Sequence, residues 1–399
     1  MVGSYGEKRV LNIVVIGTGM YATGRGTSGY GTVLPAISEW QRDNDHRSEV
    51  VFVGTNGKHS EASKQKSEQL AIDTGVKLNV SFVPDGNVID RNTYKQVLKE
   101  IPRPACAIVV VPDHLHYQVA SDCIMEDLPL LVVKPLTPTI AEGVELVNLA
   151  DDRSLYGAVE FHKRWDKANL MMRDKIQSGQ LGDLLYCWVE YSQRKSIPTE
   201  IFKEWTEKTS ILQYLGIHYI DIMRFCTGAT PKRVMAVGQK RWLPTQGLNA
   251  YDSIQCIVEW KMKEGYQFTQ TILTNWIDPE TSSAMSDQKI KMVGTKGRFE
   301  SDHKERGIRI NLDNSCVEHP NPDYCMDYMD DGGNKVWKGY GIDSIKTFLS
   351  DVVNINSNKV DVKSLEAIRP TFSEALISTA VVEAAHTSLL NNSEWQDVS

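Results

Sequence analysis

Short, unbroken apolar runs alternate with longer amphipathic stretches over the first 160 residues. The runs fall at 12–16, 50–53, 78–82, 107–111, 131–133 and 156–161, most of them continuous Val, Ile and Leu rather than alternating. Strands covered on both faces read this way, as in a parallel sheet. Helical spacing fills the gaps, for example at 60–74 and 116–125. This β-α-β-α rhythm predicts an α/β domain with a doubly wound parallel sheet. After a helix at 167–178, closed by Gly179, the pattern changes to longer strands at 184–193, 232–242, 253–261, 268–276, 289–294 and 308–311. Lys263-Glu264-Gly265 reads as a hairpin turn between two of them. Consecutive strands of this length predict an α+β domain with a large, mostly antiparallel sheet, completed by helices at 342–354 and 373–390. The predicted division is 1–158 and 159–399. Residues 321–340, rich in Asp, Gly and aromatics, read as the longest irregular stretch.

Composition narrows the class. The 399 residues carry 44 basic and 51 acidic side chains, a net charge of −7 spread along the chain. A diffuse acidic surface argues against nucleic acid and anionic membranes as partners. No apolar run approaches the length needed to span a bilayer. The apolar stretch from Val10 is broken by Asn12 and runs into glycines, so no secretory signal is read. Seven scattered cysteines without a CxxC pair fit reduced thiols. A cytoplasmic enzyme is the expectation.

The first strand runs directly into Gly17-Thr18-Gly19-Met20-Tyr21-Ala22. This fits G-x-G-x-x-A: a tight turn at Gly17, backbone approach to a pyrophosphate at Gly19, and a small residue where helix meets sheet. Met20 and Tyr21 open the following helix and join the predicted cofactor contacts. The segment 24–31 lengthens the loop before a helix near Val33. It reads either as a surface insertion or as a flap carrying Arg25 over a phosphate. Strand two ends at Thr55-Asn56-Gly57-Lys58, with no carboxylate to hold the two hydroxyls of an NAD ribose. Hydroxyl, amide and amine at Thr55, Asn56 and Lys58 suit a 2′-phosphate instead, so NADP is preferred, with NAD the alternative.

Three further segments carry candidate chemistry: Val110-Val111-Pro112-Asp113-His114-Leu115-His116, Val132-Val133-Lys134-Pro135, and residues 212–221 with Tyr214, His218 and Asp221. Lys134 ends a strand at the carboxyl edge of a parallel sheet, the edge that faces ligands. An amine there can stabilise charge developing on a substrate oxygen. His218 has the pKa range of a proton acceptor near neutrality. In this order the segments resemble the glucose–fructose oxidoreductase, inositol dehydrogenase and rhizopine-catabolism (Gfo/Idh/MocA) family, over nearly the whole chain.

The resemblance implies an NAD(P)-dependent dehydrogenase of sugars, cyclitols or nucleotide sugars, with a Rossmann domain, an open-faced sheet domain and a cleft between them. It implies that Val111, Pro112 and His116 border the cofactor and that Lys134 meets the reacting hydroxyl. The family's Glu-Lys-Pro motif has Val133 in place of its glutamate here. Where many relatives place an aspartate that orients the histidine, this chain has Tyr214. His218 therefore ranks first as proton acceptor and Tyr214 second. Arg164, Trp165, Tyr191 and Tyr340 are the expected substrate-lining residues, with Gln193 and Trp205 as weaker candidates. No metal site is expected, the substrate is a small polyhydroxylated molecule, and a homodimer or homotetramer is expected. Two rival readings are a cofactor-binding sensor without turnover and a redox-neutral, NAD-dependent glycosidase.

Overall fold

Six parallel strands build the first sheet: β1 (Asn12–Ile16), β2 (Glu49–Val53), β3 (Asn79–Val83), β4 (Ala105–Val109), β5 (Leu130–Val133) and β6 (Gly157–Glu160), in the order β3-β2-β1-β4-β5-β6. The computed structural model describes residues 11–44, 48–203, 205–313 and 317–398; Val10 and Cys316 lie outside them. Crossovers are made by α1 (Met20–Thr23), α2 (Val33–Asn44), α3 (Gly57–Thr74), α4 (Thr93–Glu100), α5 (His116–Met125) and α6 (Ile140–Asp152). Strand β1 shows why its run is unbroken. Ile13 and Val15 join one buried cluster with Ile37 and Trp40 of α2, while Val14 and Ile16 join another on the opposite face. The order reverses between β1 and β4, and the crevice beyond the strand ends there is where ligands bind in open α/β sheets.

The second sheet packs with α7 (Lys167–Gln177) and α8 (Ile217–Thr227). Its strands β7 (Leu184–Arg194), β8 (Thr230–Gln239), β9 (Ser253–Lys261), β10 (Gln267–Asp278), β11 (Ser286–Gly294) and β12 (Gly297–Asp302) adopt the order β12-β11-β7-β10-β9-β8. All neighbours are antiparallel except β7 and β10. Phe268, Gln270, Ile272, Thr274 and Trp276 of β10 alternate inward, and the residues between them are partly exposed on the outer face. The hairpin at Gly265 (φ +99°) joins β9 to β10, with Met262 N–H donating to Tyr266 O at 2.9 Å.

Two local expectations are corrected. Residues 308–311 form no strand, only an isolated bridge between Ile310 and Glu318. Residues 321–340 are not wholly irregular: β13 (Met326–Met329) and β14 (Lys335–Lys338) pair there as a small hairpin. The chain then returns to the first sheet. In α9 (Tyr340–Asn356), Ile342, Ile345, Phe348, Leu349 and Val352 fill the same cluster as Ile13 and Trp40. After α10 (Val362–Leu365), the long α11 (Phe372–Leu390) packs on α6, α8 and β8, and β15 (Gln396–Asp397) adds an edge to β8. Among the described residues no helix is long and apolar enough to cross a membrane.

Candidate active site

The turn after β1 has the geometry a dinucleotide needs. Gly17 sits at φ +126°, and a Cβ there would lie 2.0 Å from the Val110 carbonyl oxygen. Only glycine fits both the angle and the contact. Gly19 faces open space: a Cβ placed there would meet nothing within 4 Å, and no side chain caps the helix that Met20 begins. Those backbone N–H groups are free to meet a pyrophosphate. Val110 N–H donates to Ile16 O at 2.8 Å, the last bond between β4 and β1, and β4 ends at Val109 and not at Val111.

Residues 24–31 are folded down on this turn. Arg25 Nε donates to Thr18 O at 2.8 Å, Lys66 Nζ donates to Thr27 O at 2.6 Å, and a Cβ on Gly24 would strike Gly29 O. Arg25 is half-buried, and burial lowers its pKa. Its charge also reaches His59 in the first turn of α3 and, after burial, helps lower that pKa. Thr55 and Lys58 are exposed beside it, and Asn56 caps α3 by accepting from Lys58 N–H at 2.9 Å. The end of β2 thus presents the Thr55 hydroxyl and the Lys58 amine, and Asp90 N–H donates to Thr55 O at 3.0 Å.

His116 is corrected. It is fully enclosed, and its ring nitrogens lie 2.7 Å from Pro135 O and 2.9 Å from Val111 O. Both are engaged by carbonyls, so His116 braces the ends of β4 and β5 and offers no atom to a ligand. Val111 and Pro112 remain half-buried at the strand end.

Lys134 reaches from that edge across to the second domain. Its ammonium donates to Tyr214 O and lies over the Tyr214 ring, 3.5 Å from the centroid. Burial lowers its pKa to about 8, opposed by the carboxylates of Asp113 and Glu160. The peptide that follows, Lys134–Pro135, is cis. Tyr214 belongs to a single π turn, Leu212–Gly216, that feeds α8. Asp113 ties this turn to the first domain by accepting from Gln213 Nε2 and Thr209 Oγ1, both at 2.8 Å.

The second-ranked proton acceptor, Tyr214, is not poised for that role. Burial, then the charges of Tyr191 and Asp113, push that phenol up. The amine covers the ring face and bonds the carbonyl, so Tyr214 positions Lys134 and its hydroxyl is a poor acid/base. His218 is buried, its Nδ1 has no hydrogen-bond partner, and burial followed by the charges of His162, Lys134 and Lys163 holds its pKa well below the usual range. The same burial and cationic neighbours hold the imidazole neutral and oppose a proton on it, so the expectation of a pKa near neutrality is corrected.

The segment after β6 forms one 3₁₀ turn, His162–Trp165, that aims neighbouring side chains in opposite directions. Arg164 and Trp165 point away from the cleft. Arg164 binds Asp221 in a bidentate pair, closest approach 2.5 Å, and both are buried. Trp165 Nε1 donates to Thr347 on α9 at 3.1 Å. Lys163 and His162 point inward instead. Lys163 donates to Gln288 Oε1 at 2.5 Å, among the rings of Tyr191, Tyr219 and Tyr340. Burial lowers its pKa to about 7. Tyr191 and Tyr340 therefore lie around an amine that local spacing does not single out. Gln193 instead accepts from Trp276 Nε1 at 3.3 Å, and Trp205 packs on Phe202 at 4.2 Å. Among the described residues no group of His, Cys, Asp and Glu is placed to hold a metal ion.

Removing one member of the buried Arg164–Asp221 pair strands the other charge, which costs about 3–5 kcal/mol. Arg164→Ala is expected to lower the denaturation midpoint accordingly while cofactor affinity of the folded protein stays unchanged. A loss of cofactor or substrate affinity without a stability loss contradicts this assignment.

Residues 11–161 match the model of an oxidoreductase family with an NAD-binding Rossmann fold, and residues 169–300 match the Gfo/Idh/MocA C-terminal domain. The chain belongs to the Gfo/Idh/MocA family. Residues 11–161 carry that family's NAD-binding Rossmann fold, and the chain is built on the fold its members share. It is similar to the scyllo-inositol 2-dehydrogenase (NADP⁺) IolW of Bacillus subtilis, 32% identical over 160 residues, covering 38% of this chain and 42% of that one. An uncharacterised oxidoreductase of Schizosaccharomyces pombe is 24% identical over 239 residues, 59% of this chain and 58% of that one. The matched regions thus span about half the length of these relatives. Among solved structures, scyllo-inositol dehydrogenase of Lactobacillus casei with bound NAD(H) and scyllo-inositol superposes with a TM-score of 0.66 at 13% identity, covering 98% of this chain and 99% of that one. At that identity the likeness concerns the fold.

Proposed function

We propose that this Gfo/Idh/MocA protein is a dehydrogenase of a cyclitol or sugar, with NADP as its preferred cofactor. The observation that carries the reading is that Lys134, from the ligand edge of the first sheet, bonds Tyr214 O just ahead of α8, near enough to His218 for its charge to help lower that histidine's pKa. The scyllo-inositol 2-dehydrogenase among the relatives supports the substrate class.

Gly17, Gly19 and the N–H groups behind Met20 would hold the pyrophosphate. Nicotinamide, when bound, supplies the hydride acceptor for an alcohol carbon. Lys134 has three donors, one of them on Tyr214 O, so the others are free for the substrate oxygen. His218, neutral and unpartnered at Nδ1, takes the hydroxyl proton. Lys163, Tyr191 and Tyr340 offer polar contacts and an aromatic wall to a hydroxylated ring. The partly exposed outer face of the second sheet is the surface through which copies of the chain would associate as a dimer or tetramer.

The direct test is nicotinamide absorbance over a panel of cyclitols and sugars with each cofactor. Reduction with at least one polyol supports the reading. Cofactor binding without reduction favours a sensor, and sugar release without net reduction favours the redox-neutral glycosidase. For cofactor choice, Thr55, Lys58 and Arg25 suit a 2′-phosphate. Arg25→Ala is expected to weaken NADP by about 10- to 100-fold, the range for a lost hydrogen bond to a charged group, with NAD affinity little changed. Equal losses for both cofactors, measured by fluorescence titration, would contradict this role.

A further inference from the structure

Val133 replaces a glutamate in this chain, yet the first sheet still carries a carboxylate at the same level. Parallel pairing places Glu160 of β6 directly opposite Val133 of β5. Glu160 is buried, and Ser344 Oγ of α9 donates to its Oε1 at 2.7 Å. Its Oε2 lies 2.8 Å from His162 Nδ1. An ionised carboxylate only accepts, so Nδ1–H donates and Nε2 of His162 is left as the acceptor nitrogen. The His162 ring stacks on Tyr340 (5.6 Å, 18°) and lies 4.7 Å from the ring of His218. Tyr324, 5.3 Å away, closes the remaining side. The carboxylate that meets His162 is Glu160 of β6, while Lys163 lies 5.9 Å from the centre of the Tyr340 ring that His162 stacks on. The charges that bear on His218 are cationic, Lys134 and Lys163, with His162 beside them.

This asymmetry has a chemical consequence. Lys134 and Lys163 disfavour a proton on His218, whereas His162 holds its Nδ1 against the Glu160 carboxylate. We propose that His162, held and charge-balanced by Glu160, is a second proton carrier of the site, relaying the substrate proton from His218 towards solvent. The proposal rests on the dehydrogenase reading above. In the oxidative direction the C–H hydride goes to the nicotinamide ring, the C–O bond becomes C=O, and the hydroxyl proton goes to His218. His218 then passes a proton to Nε2 of His162, directly or through one water. The imidazolium of His162, still bonded to Glu160, gives that proton to water when product leaves. No oxidant beyond the nicotinamide is needed.

The test compares the parent protein with His162→Phe, which keeps the stack on Tyr340 but carries no proton, and with His162→Gln in case the first does not fold. Thermal midpoints and fluorescence titration of NADP establish that each variant is folded and binds cofactor. The expected result is a kcat lower by about 10- to 100-fold, with KM for the polyol and cofactor affinity changed by less than about threefold, and substantial recovery of turnover on adding free imidazole. Glu160→Gln, which keeps the hydrogen bond without the charge, is expected to lower kcat in the same sense. An active parent whose folded His162 variants turn over within about threefold of it overturns the proposal alone. So does a deficit that imidazole leaves unchanged, which marks a structural role. A parent that binds cofactor but reduces it with no polyol overturns the dehydrogenase reading and this proposal together.

Discussion

Lys134→Met is expected to lower kcat by about 10²–10³-fold while leaving cofactor affinity within a few-fold, as for loss of one preorganised donor to a developing oxyanion. Methionine retains the length of the side chain and its packing over the Tyr214 ring, so the loss reports the ammonium rather than the volume. The amine also sets the alkaline limit. Its pKa is lowered to about 8, so the donor form is lost as pH rises through that value, and kcat/KM is expected to fall there. Lys134→Arg, which stays charged, should abolish that limb even if its overall rate is low. Steady-state kinetics across pH decide the matter. A limb near pH 8 that survives in Lys134→Arg assigns it to another group, with Lys163 the first suspect.

The second large effect concerns His218. His218→Asn is expected to reduce kcat by about 10²–10⁴-fold, the usual contribution of a positioned base. Because burial and its cationic neighbours hold His218 well below the ordinary histidine range, it stays neutral through mildly acidic pH. The acid limb of kcat/KM is therefore expected below pH 6.5. The same shift acts on stability: the unfolded chain protonates this histidine near its ordinary pKa while the folded one does not. The associated stability is thus complete above about pH 6.5 and is lost as pH falls below it, a loss that should shrink in His218→Asn. Tyr214→Phe, by contrast, keeps both the carbonyl and the ring that hold Lys134, and should retain most activity. A Tyr214→Phe variant as inactive as His218→Asn would make the phenol the proton acceptor.

Much of the site is readable because it is written locally. Gly17 and Gly19 follow a strand, Lys134 follows one, and Tyr214 and His218 lie four apart in sequence, so each can be placed from its immediate neighbours. The parallel and antiparallel sheets are legible for the same reason, since strand covering leaves its period in the sequence. What escapes depends on pairing between distant segments. That Glu160 lies opposite Val133 follows from the β5–β6 register, which no spacing within either strand announces. The choice between Lys163 and Arg164 turns on the 3₁₀ geometry at His162–Trp165 and on a partner, Asp221, 57 residues away. A buried lysine beside an arginine looks like surface charge until its acceptor, Gln288, is known. The enclosure of His116 escapes the sequence because the carbonyls at its ring nitrogens, Val111 O and Pro135 O, follow two different strands. The inserted loop at residues 24–31 is visible in the sequence, but not that Arg25 is tied to Thr18 O above the dinucleotide turn.

The account stands on Lys134 and His218 acting on one oxygen. A crystal structure of the protein with NADP and a cyclitol that it oxidises tests this most directly. It should show a single substrate hydroxyl about 2.6–3.2 Å from both Lys134 Nζ and a ring nitrogen of His218, its carbon facing the nicotinamide. A substrate whose reacting hydroxyl meets only one of these groups, or neither, would contradict the account.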